Sequence, residues 1–516
     1  MKRVLIERNR YFDSVFLMRI SHALEQLPDV GRAIVAMGTR ANLDSLKAVG
    51  FALDESASPI HPSDLVIAIE AESDDAIDAA EGRARALLAG EAFGEVDGRA
   101  GGERPATIAE AIALDADLNL ALISVPGAYA AREARQALRH GLHVMLFSDN
   151  VSVEDEIALK EEAIRRGLMM MGPDCGTAIL GGAPLGFANA VRRGRIGIVG
   201  ASGTGIQEIS SLVHRLDGGI SQAIGTGGRD LSGPVAARMT RFGIAALASD
   251  PETDVLVVVS KAPEPVVAGR VLDALRGAEK PAVVRFVTEG ARAPEGSIRF
   301  AESLAEAAEL ACAAAGLSTP ASGDRAGGSL PVEALPKGVT ASGRIRGLFC
   351  GGTLAQEAWD LLRGAGIGAH SNVATDPAMR IEPGEKEEGH VLWDLGDDAF
   401  TAGVPHPMIA PSLRDDEVVR CANDPTVGIV LVDCVLGYGA HADPAGSLAD
   451  AAHRALVTAR ADGRDLTIVA SVTGTDADPQ NRGRQVEALI GAGVVVAPSN
   501  AVAARWAAAA LRGGAT

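Results

Sequence analysis

The sequence predicts an α/β protein of several domains, and three observations carry that reading. The chain has 516 residues, too many for one hydrophobic core. Hydrophobic residues make up 47% of it and aromatic residues 3%, with 60 glycines, so its cores are built from Ala, Val, Leu and Ile joined through Gly-containing turns. Short apolar runs alternate with helical periodicity along most of the length, the pattern of sheets covered by helices.

Residues 1–92 offer strands at Val4–Ile6, Arg32–Met37 and Asp64–Glu70 and helices at Ser14–Gln26, Ala41–Val49 and Asp74–Leu88, an order that predicts a small ferredoxin-like domain. Arg8 and Tyr11, just before the first helix, read as surface-loop residues. A Gly-rich connector, EVDGRAGGERP, leads to a domain over 105–192. There strands Leu120–Val125, His143–Phe147 and Met169–Met171 alternate with helices Ala130–His140 and Val153–Arg166, half of a Rossmann-like parallel sheet. The G-x-G-x-x-G fingerprint is missing from it, so no dinucleotide site is assigned. Residues 193–316 form another α/β unit, 317–340 is a linker rich in Gly, Pro, Ser and Ala, and 341–516 is a last α/β unit with strands near Gly347–Cys350, Val391–Leu395, Gly428–Val432, Thr467–Ser471 and Val494–Val496.

Composition excludes several functions. A formal net charge of -19 without a basic block argues against nucleic acid. Cys175, Cys312, Cys350, Cys421 and Cys434 are scattered without metal spacing, so no metal site is expected and the thiols read as reduced. Neither a leader-like apolar segment nor a run of ~20 apolar residues is present, so a soluble cytoplasmic protein is expected.

The chemistry-bearing stretch is GIVGASGTGIQE at 197–208, an apolar strand entering a helix through a small-residue turn. First-turn N–H groups lack intrahelical partners and carry roughly +0.5 of an elementary charge from the macrodipole, so such a turn attracts an anion. The stretch is repeated. SGTGIQE (202–208) matches GGTLAQE (351–357), GTGGRDLSG (225–233) is echoed by DLGDDAFTAG (394–403), and SDPETDVLVVV (249–259) by NDPTVGIVLVD (423–433). Three matches in the same order predict two related domains whose helix N-termini converge on one anion, a phosphate or acyl phosphate. Asp230, Asp397 and Asp398 lie in the matched turns, as helix caps or as groups that orient substrate. His406, between two prolines in PHPMI, is a candidate acid/base or ligand-contacting group. Cys175 in GPDCG has no neighbouring base in sequence and reads as a turn residue.

MMGPDCGTAI (170–179), GRIGIVGASGTGIQEI (194–209) and GTGGRDLSG resemble the succinyl-CoA ligase α subunit, and the 347–500 region resembles the carboxy-terminal domain of its β subunit. Fusion of the two, the ferredoxin-like segment and GHVLWDLGDDAFTAGVPHPMIAP (389–411) resemble the FdrA family over essentially the whole chain. The resemblance implies a CoA-binding-type domain at 105–192 and two flavodoxin-like ligase-type domains at 193–316 and 341–516. It implies a phosphate held by Ser202, Gly203 and Thr204 on one side and Gly351, Gly352 and Thr353 on the other; Asp230 and Asp398, from the matched turns of the repeat, are candidate contacts to it.

The departures redirect the expected activity. The ligases' phosphate-carrying histidine is missing from VTEGARAPEGSIRFAESLAEAAEL (287–310), Lys261 stands where they place a glutamate, and neither their first CoA loop nor an ATP-grasp domain is found. Lys261 clamps charge but cannot orient a phosphohistidine. The expectation is a carbamoyltransferase subunit of the oxamate type, with Lys261 and His406 catalytic, carbamoyl phosphate or another phosphate-bearing small molecule as substrate, no certain cofactor, partner subunits and an oligomeric state. The alternatives are an acyl-CoA synthetase using CoA or ATP and a non-catalytic anion-sensing scaffold.

Overall fold

The computed structural model describes residues 1–10, 12, 14–25, 27–39, 42–43, 46–47, 49–52, 59–89, 105–286, 292–317, 343–401 and 405–513. Tyr11, nearly all of the 95–105 connector and nearly all of the 317–340 linker lie outside these. The described residues form two units, one of Met1–Leu118 with Asp398–Pro405, the other of Asn119–Asp397 with His406–Thr516.

In the first unit, β1 (Lys2–Glu7), α1 (Ser14–Glu25), β2 (Val30–Met37), β3 (Leu65–Ala71), α2 (Asp74–Leu88) and α3 (Ile108–Leu114) follow in order. The three strands pair antiparallel in the order β1-β3-β2. Leu17, Ile20 and Leu24 of α1 and Ile77, Ala80 and Ala84 of α2 join Ile67 and Ile69 of β3 in one core. Ser73 starts α2 by accepting the Ala76 N–H, and Asp74 and Asp75 complement the helix dipole in the first turn. Of the predicted Ala41–Val49 helix, 42–43 and 46–47 are described and helical. Arg8 is tied to the Pro59 carbonyl and to buried Asp64 at 2.6 and 2.7 Å.

The second unit begins with β4 (Leu120–Ile123), α4 (Gly127–Arg139), β5 (His143–Leu146), α5 (Val153–Arg165) and β6 (Met170–Met171), a parallel sheet of three strands. Next come β7 (Thr177–Leu180), β8 (Ala183–Gly186), β9 (Arg193–Gly200), α6 (Gly203–Arg215), β10 (Ile220–Gly225), α7 (Arg238–Ser249), β11 (Val255–Ser260), α8 (Pro265–Gly277), β12 (Ala282–Phe286), β13 (Ile298–Phe300) and α9 (Leu304–Ala314). Their sheet runs β13-β12-β11-β9-β10-β7-β8. The β7–β8 hairpin, which the sequence assigns to 105–192, joins this second sheet by antiparallel pairing of Ile179 with Ala223 on β10.

The chain ends with β14 (Arg344–Phe349), α10 (Gly352–Gly364), β15 (Ala369–Ser371), β16 (His390–Asp394), α11 (Ser412–Asn423), β17 (Val427–Val435), α12 (Pro444–Ala461), β18 (Thr467–Thr473), α13 (Arg482–Gly491), β19 (Val495–Ala497) and α14 (Asn500–Gly513), with sheet order β15-β16-β14-β17-β18-β19. Set aside the edge additions β7, β8 and β15, and the two large sheets have one order: the first strand lies between the second and the third, and the fourth and fifth continue outward. The parallel strands VLVVVS and VGIVLVDCV are buried at every position, which is why they read as continuous apolar runs.

The two sheets share a core through α6, α9, α10 and α14, with Ile209, Val213, Ala308, Trp359, Leu362 and Trp506 in one cluster. Every residue of α6 from Thr204 to Val213 is buried. Its polar members are therefore committed. Glu208 accepts the N–H of Asn500, the first residue of α14, at 3.3 Å, and Glu357 accepts that of Leu304, the first residue of α9, at 2.6 Å. Each repeat's glutamate thus caps the last helix of the other repeat, a reciprocity that a local two-fold requires.

Candidate functional site

In both large sheets the strand order reverses beside the first strand, and the crevice outside the carboxyl ends at that point is where doubly wound sheets hold ligands. The turns following β9 and β14 sit there. Ser202 caps α6 by accepting the Gly205 N–H at 3.0 Å, and its Oγ lies 2.6 Å from the Thr353 hydroxyl of α10. A Cβ on Gly351 would stand 2.8 Å from the Thr204 methyl, so close an approach admits only glycine there. The structure therefore brings Ser202, Gly203, Thr204, Gly351, Gly352 and Thr353 to one junction. Thr177 joins them, its hydroxyl 3.1 Å from the Cβ position of Gly203.

The two sides differ electrically. At the second turn the N–H groups of Cys350 and Gly351 donate to Asp433 of β17 at 2.7 and 2.8 Å. Burial pushes the Asp433 carboxyl up, and the backbone donors and buried Arg414, bonded to the Asp433 carbonyl at 3.1 Å, oppose that shift. At the first turn the N–H groups of Gly203 and Thr204 have no acceptor among the described residues.

Lys261, one residue past β11, is exposed, and its ammonium has no hydrogen bond or ion pair among the described residues. Its Nζ is 3.3 Å from the Cβ position of Gly352, and the same position meets Asp394 from the end of β16, with Cγ at 3.2 Å and Oδ2 closer still. Asn372 clamps the Asp394 backbone, donating to its carbonyl at 3.0 Å and accepting its N–H at 2.9 Å, while Gly396 N–H donates to Oδ1 at 3.0 Å. Burial pushes the Asp394 carboxyl up to about 7 against the opposing Lys261 charge and Gly396 N–H.

His406 stands behind this turn, with Nε2 2.5 Å from the Cβ position of Gly396. Burial pushes it down to about 4, and Nδ1 accepts the Met408 N–H at 3.2 Å, so the ring is neutral at pH 7 with its proton on Nε2. A neutral ring whose Nδ1 is engaged and whose Nε2 carries the proton is a donor, not a ready phosphate carrier.

One expected ligand residue is corrected. Asp230 is fully buried and its carboxylate takes the Lys160 ammonium at 2.8 Å, the Met239 and Thr240 N–H groups at 3.2 and 2.8 Å and the Thr240 hydroxyl at 2.7 Å. It is the cap of α7, with no capacity left for a ligand. Asp398 opens a helical turn over Asp398–Thr401 in the first unit. Cys175 is buried and its thiol is pushed up to about 12 by burial, the opposite of an activated nucleophile.

Asp394 and Asp433 are the residues that sequence reasoning passes over. Asp394 ends the apolar strand HVLWD and Asp433 follows the apolar run VGIVLV within β17, and a carboxylate in or closing a buried run is the signal that marks them.

Comparison with known proteins adds to this geometry. Residues 348–510 match a family described as CoA-ligase, 191–289 match the CoA binding domain, and 1–105 match "AllF, heavy metal-associated domain". The CoA binding match falls on β9–β12 rather than on 105–192. No cysteine precedes Cys175, so the residues of the 1–105 match do not supply the thiolates that suit a soft metal. The chain is 42% identical over 510 residues to the uncharacterized protein YahF of Escherichia coli (strain K12), covering 96% of each. It is 31% identical over 188 residues to the ADP-forming succinate–CoA ligase subunit alpha-2 of Trichomonas vaginalis, covering 35% of this chain and 59% of that protein. A solved dinucleotide-forming acetyl-coenzyme A synthetase of Ca. Korarchaeum cryptofilum aligns over 82% of this chain and 87% of its own at 16% identity, with a TM-score of 0.35. The helix junction lies within the residues matched to CoA-ligase and CoA-binding families.

Proposed function

We propose that this chain, which belongs to the same protein family as YahF of Escherichia coli, is a CoA-ligase-type enzyme that transfers an acyl group from an acyl phosphate to an acceptor. The observation that carries the reading is the meeting of two helix N-termini, Ser202 to Thr353 at 2.6 Å, beside the unpartnered ammonium of Lys261.

The amino-terminal end of α6 favours an anion by roughly 0.3–1 kcal/mol, up to ~2 when partly buried, whereas the turn before α10 already holds the Asp433 carboxylate. The free N–H groups of Gly203 and Thr204 and the Lys261 ammonium hold the phosphate oxygens. They also stabilise the charge that grows on phosphate as the carbon–oxygen bond breaks. The acceptor of the leading reading is the thiol of CoA, bound as a substrate, in keeping with the CoA-ligase and CoA-binding matches. Direct transfer suits a junction beside which His406 is neutral with Nδ1 already engaged. That same observation favours a second reading, in which the acyl phosphate is carbamoyl phosphate, the acceptor is an amide such as oxamate and a partner subunit completes the enzyme.

The test is release of inorganic phosphate from acetyl phosphate and from carbamoyl phosphate, with CoA or oxamate as acceptor, alongside calorimetric binding of phosphate. Thioester with CoA supports the first reading, and oxalurate from carbamoyl phosphate the second. A protein that binds no phosphate and turns over neither donor is not this enzyme. Stable labelling of the protein by ATP phosphorus would replace direct transfer with a phosphoenzyme route.

A further inference from the structure

Asp394 poses a problem for any anion at this junction. Its Oδ2 lies over the amino-terminus of α10, at the Cβ position of Gly352, across the junction from the donors that would hold a bound phosphate. The residue is 6% exposed, yet Oδ2 has no hydrogen-bond partner among the described residues. Asn372 fixes its backbone at 2.9 to 3.0 Å and the Gly396 N–H holds Oδ1 at 3.0 Å, so moving the carboxylate costs that bond. A carboxylate and a phosphate dianion a few ångströms apart repel strongly in a partly dry site.

We propose that Asp394 is the proton carrier of the junction. Protonated as the acyl phosphate binds, it gives its proton to the departing phosphate and takes in its place the proton of the acceptor's S–H or N–H group as that group attacks the acyl carbon. The acceptor–carbon bond forms and the carbon–oxygen bond to phosphate breaks, the electron pair leaving on phosphate. The trianion formed by that cleavage takes the proton from the Asp394 carboxyl and leaves as monohydrogen phosphate, and the carboxylate left behind takes the acceptor's proton, so the protonated carboxyl is restored. No further reactant is needed. This rests on the acyl-transfer reading above and adds the group that moves the proton.

The surroundings set Asp394 to carry a proton near neutral pH. Lys261 beyond β11 favours its ionised form, while Asp397 in the following turn and Asp433 on β17 oppose it, and burial raises it further. His406, beside Gly396, is neutral, and Arg414 of α11 is committed to Asp415 and to the Asp433 carbonyl. Asp394 is thus the group at the junction whose proton is exchanged as an anion comes and goes.

Inorganic sulfate is the probe, because it is a dianion that does not itself titrate near neutrality. Calorimetry in two buffers of different ionisation enthalpy should show that the full-length protein takes up close to one proton per sulfate at about pH 8, with affinity falling toward tenfold per pH unit above the Asp394 midpoint. Asp394→Asn should bind sulfate without proton uptake and with little pH dependence. Its acyl transfer should fall by roughly 10²–10⁴ in kcat with KM little changed. Lys261→Met, at an exposed position, should move the midpoint of the wild-type pH dependence upward as the opposing charge is lost. Equal proton uptake in wild type and Asp394→Asn, or an unmoved midpoint in Lys261→Met, overturns this inference and leaves the acyl-transfer reading standing. Absence of both sulfate and phosphate binding overturns the two together.

Discussion

Gly352→Ala separates a glycine kept for its chain geometry from one kept for the site. Gly352 opens α10 with an ordinary negative φ, so alanine fits the backbone, and replacing glycine inside a helix gains roughly 0.5–1 kcal/mol. The added methyl, however, meets Asp394 with Cγ at 3.2 Å and Oδ2 closer, and Lys261 Nζ at 3.3 Å. Lys261 is a flexible end and moves. Asp394 has its backbone fixed by Asn372 and its Oδ1 held by the Gly396 N–H, and it yields only by losing that bond, so overpacking of about 1–3 kcal/mol applies and the net change is a loss of up to ~2 kcal/mol. Gly269 in α8 is the control, since a Cβ there meets nothing within 4 Å and Gly269→Ala should gain roughly 0.5–1 kcal/mol. The assays are denaturant midpoints and calorimetric sulfate affinity for both variants. Gly352→Ala should lose stability and at least ~tenfold in affinity, about 1.4 kcal/mol, whereas Gly269→Ala should leave affinity unchanged. A Gly352→Ala protein as stable as Gly269→Ala, with wild-type sulfate affinity, would refute the convergence of Asp394 and Lys261 over this residue.

Three further outcomes follow from the same coordinates. Ser202→Ala and Thr353→Val remove the two hydroxyls that meet at 2.6 Å, so the stability loss of the double variant should differ from the sum of the singles by ~0.5–3 kcal/mol, and strict additivity in thermal denaturation would show that the hydroxyls do not interact. Burial raises the carboxyls of both Glu208 and Glu357, and a raised folded value means stability present at low pH and lost as pH rises through it. Glu208→Gln, which still accepts from Asn500 N–H while donating to the Thr473 hydroxyl, should therefore gain on wild type as pH rises. Glu357→Gln instead faces donors at both oxygens, Leu304 N–H at 2.6 Å and Asn500 Nδ2 at 2.8 Å, and should be the less stable of the two variants throughout; the reverse order in melts across pH would refute the cross-capping. Lys160→Met should cost about 3–5 kcal/mol in chemical denaturation, because Glu156 and Asp230 are left buried without their shared cation, and a loss under ~1 kcal/mol would mean they are not ionised.

The fold was legible where burial is two-sided. Strands such as Val255–Ser260 and Val427–Val435 are apolar throughout because helices cover both faces, and their repetition announced the domains. The β7–β8 hairpin was not read as strands, and its residues were placed with 105–192, since its partner β10 lies 40 residues on and pairing leaves no local mark. At the site, the two Gly-rich turns were readable because they occur twice. Asp230 misled because its role depends on Lys160, 70 residues upstream, and a cap completed from such a distance has no signature in its own turn. Gln-Glu in both repeats counted only as matching letters, although Glu208 and Glu357 turn out to hold the opposite domains' last helices.

The two turns begin from one template and diverge where Val259 faces Asp433 and Ser202 faces Gly351. In the aligned repeats SDPETDVLVVV and NDPTVGIVLVD, Val259 falls opposite Asp433. Val259 offers the first turn only its carbonyl, which takes the Ala201 N–H at 3.1 Å, and the capping role passes to the Ser202 hydroxyl. Asp433 instead uses its carboxylate on the Cys350 and Gly351 N–H groups, so the second turn has an anion built in. With Asp394 added on that side and Lys261 on the other, the junction has a cationic wall of α6 and Lys261 and an acidic wall at α10. An anion drawn to the junction then has one favourable orientation, charge toward Gly203, Thr204 and Lys261, with whatever carbon it carries turned toward Asp394. A symmetric pair of helix ends would only have bound the anion; the Val259-to-Asp433 difference gives the pair a direction, which is what acyl transfer from phosphate to an acceptor requires.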